Sequence, residues 1–142
     1  DGRVDRARLS ARVVGDAAAM ARLEAVVHPL VRRTEERFRT AARGSGARLC
    51  VLDIPLLFEG GRERDVDLVV VTTVPDPVQR ERVLDRPGMT AEKLDDILAR
   101  QIPQAEKRRR AHVAIDTGRG IEAAERAVEA VIRMAATMTG KG

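Results

Sequence analysis

Between Asp5 and Ala42, apolar side chains recur at Leu9, Val13, Ala17, Met20, Leu23 and Val27. Steps of three or four are the period of a helix with one apolar face. Gly15-Asp16 breaks the pattern, with Asp16 placed to cap a second helix. His28-Pro29 breaks it again, and a third helix is expected from Pro29, because proline is tolerated at a first helical position. Gly44-Ser45-Gly46 ends the helical stretch. The period then changes. Leu49-Cys50-Val51-Leu52-Asp53-Ile54 reads as a buried strand closed by Pro55, followed by a loop to Arg64 with a helical turn before Gly60-Gly61. Asp67 to Thr72 is a second apolar run, rich in β-branched residues, as in parallel strands covered on both faces. Asp76-Pro77-Val78-Gln79 looks like a helix start, with Asp76 as cap and the helix running to about Arg86. Thr90 caps the next helix, which ends before Pro103. Gln104 to Arg110 is a short basic helix, and His112 to Asp116 a third strand. After turns at Gly118 and Gly120, the residues Ile121, Ala124, Val128, Val131, Ile132 and Ala135 form one face of a final helix. Strands joined by helical crossovers predict an α/β fold with a parallel sheet.

At 142 residues the chain has the length of one domain. Three strands are few for its helices to cover. No apolar run reaches the ~18 residues of a spanning helix, so no membrane partner is expected. The single cysteine, Cys50, excludes an internal disulfide and a cysteine-based zinc site, which is compatible with a reducing cytoplasm. The net charge is +4, and lysine occurs only at Lys93, Lys107 and Lys141, so arginine supplies 23 of the 26 cations. Arginine suits forked recognition of phosphate, although a coding bias produces the same excess. Tyr and Trp are absent and only Phe38 and Phe58 are aromatic, which leaves little for stacking bases. A nucleic-acid partner is therefore not expected.

In open parallel sheets, ligands sit beyond the carboxyl ends of strands. Asp53 and Asp116 close two of the strands expected here. Such an acid orients a hydroxyl or a metal-bound water, or it caps its own loop. Both roles stay open for Asp53, and capping is favoured for Asp116. Arg82 and Arg86 are four apart, and Arg100 and Lys107 to Arg110 follow. Together they form a solvated basic face or a phosphate-clamping lid. His28 is a cap, a packed side chain or a substrate contact. No Gly-x-x-x-x-Gly-Lys-Ser/Thr segment occurs in the 142 residues.

Several segments, in order and spacing, resemble the dephospho-coenzyme A kinase family. They are Val27-His28-Pro29-Leu30, Asp53-Ile54-Pro55-Leu56-Leu57-Phe58-Glu59, Val78 to Arg86, Leu98-Ala99-Arg100-Gln101, Glu106-Lys107-Arg108 and Val113 to Gly118. The resemblance implies a P-loop kinase fold and transfer of the ATP γ-phosphoryl group to the 3′-hydroxyl of dephospho-CoA, with Mg²⁺. It implies a helical CoA-binding part at about 5–43, a core at 47–86 and 111–139, and a lid at 87–110. His28, Pro29, Pro55, Leu56, Leu57, Glu59 and Gln101 are its substrate-side candidates. Arg82, Arg86, Arg108, Asp116, Thr117 and Gly118 are its ATP-side candidates, with Arg86 a lid contact to phosphate and Asp53 a possible catalytic acid. No metal ligand is expected in this chain. The family usually has Asp where His112 stands and Asn where Thr117 stands. The resemblance covers the later two thirds of the family pattern. The chain is thus expected to be the C-terminal portion of such an enzyme, inactive alone, its sheet lacking the central P-loop strand. That strand would lie between Leu49–Ile54 and Asp67–Thr73, so a gap or a foreign pairing is expected there. Another P-loop small-molecule kinase and a basic binding module are the rival readings. The sequence does not fix the oligomeric state.

Overall fold

In a computed structural model describing residues 4–138, Asp5 and Asp16 start the first two helices by the same device. The Asp5 carboxylate accepts the Arg8 N–H at 3.0 Å and that of Asp16 accepts the Ala19 N–H at 2.9 Å. Each satisfies a backbone donor that has no partner within its helix. Helix α1 is Arg6–Val13 and α2 is Ala17–Gly44. Gly15, at φ +88°, makes the turn between them. The helix expected to begin at Pro29 does not form as a separate element, because α2 runs through Pro29. Proline removes one N–H, here the donor that would reach Ala25, at a cost of about 3 kcal/mol. Hydrogen bonds on either side, and a sequence rich in Ala, Leu, Arg and Glu, carry the helix across. Its end is a Schellman motif. Gly46 is left-handed at φ +70°, Ala47 N–H donates to Ala42 O at 3.0 Å, and Gly46 N–H donates to Arg43 O at 3.1 Å.

The chain divides into two compact units, Asp1–Cys50 and Val51–Gly142. In the first, α1 packs on α2 and Val13 is buried. In the second, strand β1 (Val70–Thr73) lies parallel to β2 (Val113–Asp116), with Val70 opposite Val113 and Thr73 opposite Asp116. Parallel neighbours need a long crossover. Here it is α3 (Asp76–Leu84), α4 (Ala91–Ala99) and α5 (Gln104–Arg110). Helix α6 (Ile121–Thr137) packs on β2. Val69, Leu94, Ile115 and Phe58 form the buried core of this unit. Thr139, at the end of the expected core, and the Gly140-Lys141-Gly142 tail lie outside the described residues.

The chain is α/β with a parallel sheet, as its pattern predicts, but the sheet has two strands among the described residues. The expected strand at Leu49–Ile54 is not formed. The segment is neither helical nor laddered, and Leu49 and Val51 are exposed. Apolar β-branched composition favours a strand only when a neighbour supplies the hydrogen-bonding ladder. The segment is therefore not paired with β1. Asp76 is not the cap of α3. Pro75 holds that position, Asp76 is the first helical residue, and its carboxylate accepts from Gln104 Nε2 at 2.9 Å. Thr90 does cap α4, accepting from Lys93 N–H at 3.3 Å.

Candidate active site

The carboxyl ends of β1 and β2 are joined by side chains. Thr117 Oγ1 donates to Thr73 O at 3.1 Å, and Arg82 Nη2 donates to Thr117 O at 3.2 Å. A longer contact of 3.5 Å runs from Arg82 Nη1 to Thr117 Oγ1. The Asp116 carboxylate accepts Gly118 N–H at 2.8 Å, so it caps its own turn, the role its position favoured. A Cβ on Gly118 would meet Asp116 Oδ1 at 3.1 Å and Pro75 Cδ at 3.2 Å, so no larger residue enters without displacing them. An open groove of about 680 Å³ lies beside Arg82 and Thr117, with Ile121, Ala124 and Val128 of α6 as its apolar wall. The arrangement offers a guanidinium, a flat apolar wall and closely approached backbone, which suits a phosphorylated ligand with a planar ring.

Four of the expected ATP-side residues, Arg82, Asp116, Thr117 and Gly118, therefore come together. Arg86 does not share a helix face with Arg82. Helix α3 stops at Leu84, and Arg86 is exposed in the turn that follows. Pro87 ends the helix early, because the residue before a proline is disfavoured in α-helical backbone. Arg108 is exposed on α5 and Asp53 is exposed in the unpaired segment. His28 and Pro29 are exposed on α2 in the first unit.

The substrate-side loop is built differently from its composition. Pro55 and Leu56 are exposed, Leu57 is half-buried and Phe58 is 5% exposed. Leu56 adopts φ +58°, a left-handed conformation rare for a bulky residue. Glu59 Oε1 accepts Ile102 N–H at 2.9 Å and lies 3.2 Å from Lys107 Nζ. Lys107 Nζ also donates to Gln101 Oε1 at 2.9 Å. Burial works to raise the Glu59 carboxyl, but its own backbone N–H, Ile102 N–H and Lys107 outweigh burial and hold it below the ordinary range. Glu63 is also held low, by its own backbone N–H and then by Arg110. The Arg110 guanidinium sits 4.6 Å over the Phe58 ring. A second groove, about 600 Å³, is lined by Thr72, Gln79, Arg80, Leu94 and Gln101 among others.

Sequence reasoning missed Lys107, Glu63 and Arg110 as individual contributors. His112 Nδ1 accepts Val69 N–H at 2.9 Å, while His112 N–H donates to Val69 O at 3.0 Å. The bond joins the chain just before β2 to the chain just before β1. Among the described residues no cluster of three His, Cys, Asp or Glu side chains could hold a metal ion. No described helix is long and apolar enough to cross a membrane.

A sequence model of the family described as dephospho-CoA kinase matches residues 1–122. The chain is 60% identical over 132 residues to a dephospho-CoA kinase of Mesorhizobium japonicum, covering 93% of this chain and 67% of that one. It is 53% identical over 137 residues to a dephospho-CoA kinase of Rhodopseudomonas palustris, covering 96% and 69%. The crystal structure of TT1252 from Thermus thermophilus superposes with a TM-score of 0.71 at 34% identity, covering 94% of this chain and 68% of that one. On the match over residues 1–122 and these identities, the chain belongs to the dephospho-CoA kinase family.

Proposed function

We propose that these residues serve the transfer of the ATP γ-phosphoryl group to the ribose 3′-hydroxyl of dephospho-CoA, the last step of coenzyme A synthesis, in the cytoplasm. The observation that carries the proposal is the placement of Arg82 on Thr117 at the carboxyl ends of two parallel strands, beside an apolar-walled groove. In a P-loop kinase fold that is the nucleotide side. The groove takes the ATP base, Gly118 lets the backbone approach it, and Arg82 faces the phosphates. The exposed Arg86 and Arg108, which the fold leaves uncommitted, supply positive charge when phosphate arrives. The Pro55-Leu56-Leu57 turn and Gln101 form the acceptor side, and Glu59 anchors that turn through Ile102 and Lys107. His28-Pro29, in the first unit, is a proposed contact for the CoA moiety. Mg²⁺ enters with the ATP phosphates, and none of the described residues is assigned to it. No Gly-x-x-x-x-Gly-Lys-Ser/Thr segment is present to cradle phosphates. Binding without turnover is the expected behaviour of the 142 residues alone.

Titration calorimetry of the 142-residue chain with ATP and with dephospho-CoA tests this reading. Both ligands are expected to bind, and Arg82→Ala is expected to weaken ATP by roughly tenfold, the loss of one charge-assisted contact. Tighter binding of a nucleoside than of dephospho-CoA would favour another small-molecule kinase. Steeply salt-dependent binding to arbitrary DNA, without selectivity for dephospho-CoA, would favour a basic binding module.

A further inference from the structure

The loop at Pro55–Gly61 is tied to residues more than forty positions along the chain. One oxygen, Glu59 Oε1, receives both Ile102 N–H and the Lys107 ammonium, and Lys107 reaches on to Gln101. Glu59 Oε2 is buried without a hydrogen-bond partner, so the carboxylate is committed through a single oxygen. A second tie lies beside the first: Arg110 covers the Phe58 ring and pairs with Glu63. The loop is stiff between these ties. Gly60 N–H donates to Leu56 O at 3.0 Å, Gly61 N–H to Phe58 O at 3.1 Å and Arg62 N–H to Leu57 O at 2.9 Å. Leu56 is held left-handed within that ring of bonds. At the far end of the ties, Gln101-Ile102-Pro103 is the non-helical joint between α4 and α5. A half-buried anchor on such a joint fixes the angle at which the two helices leave it.

We propose that Glu59 is a positioning residue that couples the Pro55–Gly61 turn to the α4–α5 joint. A ligand seated on Pro55 to Leu57 then shifts the joint, and with it Arg108, Arg109 and Arg110 of α5. The ligand side rests on the function proposed above, which gives the turn to dephospho-CoA. The mechanical side does not, and the two are separable by experiment.

Amide hydrogen exchange on the ligand-free chain reads the mechanical side. Glu59→Ala is expected to speed exchange at Ile102 at least about tenfold. Lys107→Met is expected to loosen the Gly60, Gly61 and Arg62 amides, although it lies on the other element. The double variant should open these amides by less than the two single effects multiplied, because both substitutions remove parts of one link. Glu59→Gln keeps the acceptor for Ile102 and should restore most of its protection, while a merely misfolded Glu59→Ala would lose protection in α6 as well. If each single variant loosens only its own element, the coupling is refuted. With dephospho-CoA added, the wild-type chain should show amide shifts in both the turn and the joint, and Glu59→Ala in the turn alone. Equal shifts at the joint in both proteins would also refute it. An absence of shifts anywhere in the wild type would overturn the assignment of dephospho-CoA to the turn, with the ligand-free exchange still deciding the coupling.

Discussion

His112 shows how one side chain secures two strands. Val69 is 2% exposed, and its N–H meets the imidazole rather than water. His112→Ala leaves that donor unpaired and is expected to cost about 1–3 kcal/mol, read as a lowered denaturation midpoint. His112→Asp restores an acceptor and should recover most of it. No feature of the sequence announces this contact, because an imidazole facing a backbone donor leaves no periodic trace. Asp116 was easier to read, since an acid two residues before Gly118 has a turn donor within reach. Glu59 and Lys107 stand forty-eight positions apart, and only the folded chain brings them together. The pair also sets an acid response. Glu59 and Glu63 are both held below the ordinary 4.5, Glu59 against the opposing effect of burial. Their contribution is complete above 4.5 and is lost as pH falls through the lowered folded-state values. Urea midpoints should therefore drop as pH falls below 4.5, and Glu59→Gln should flatten that decline.

Helix α2 tolerates Pro29 in its interior, where the sequence pattern placed a boundary. Periodicity cannot say whether a proline ends a helix or is carried through it, because the flanking residues look alike in both cases. Pro29→Ala supplies the missing N–H and is expected to raise stability, by at most about 3 kcal/mol, measured by thermal denaturation. The caps of α2 and α4 were legible at Asp16 and Thr90, since a short polar side chain before an apolar period has a definite geometric use. The cap of α3 was not, because Asp76 turns to Gln104 on α5. Between α3 and α4, Arg80 and Asp95 form a 2.7 Å ion pair with both side chains largely exposed. Solvent screens such a pair, and Asp95→Asn is expected to change stability by less than about 1 kcal/mol. A larger loss would mean that the pair braces the α3–α4 hairpin.

The fold class was legible because β-branched runs alternate with helical periods, and that alternation survives in β1, β2 and their crossover. The number of strands was not, since Leu49–Ile54 has strand composition but no ladder. The second edge of β1 likewise has no partner among the described residues. With Val70, Ile121, Val128 and Ile132 exposed as well, self-association at micromolar concentration is expected in light scattering. Val70→Lys should suppress it with little change in melting temperature. The strand-joining imidazole has one more use. A backbone N–H donates to Nδ1, so His112 carries its proton on Nε2 and is fixed as a single tautomer. The only other histidine in the chain, His28, lies exposed on α2. In a nitrogen NMR spectrum the two rings become natural, unlabelled reporters. The ring of His112 reads out whether the sheet is assembled, and that of His28 serves as the reference outside it.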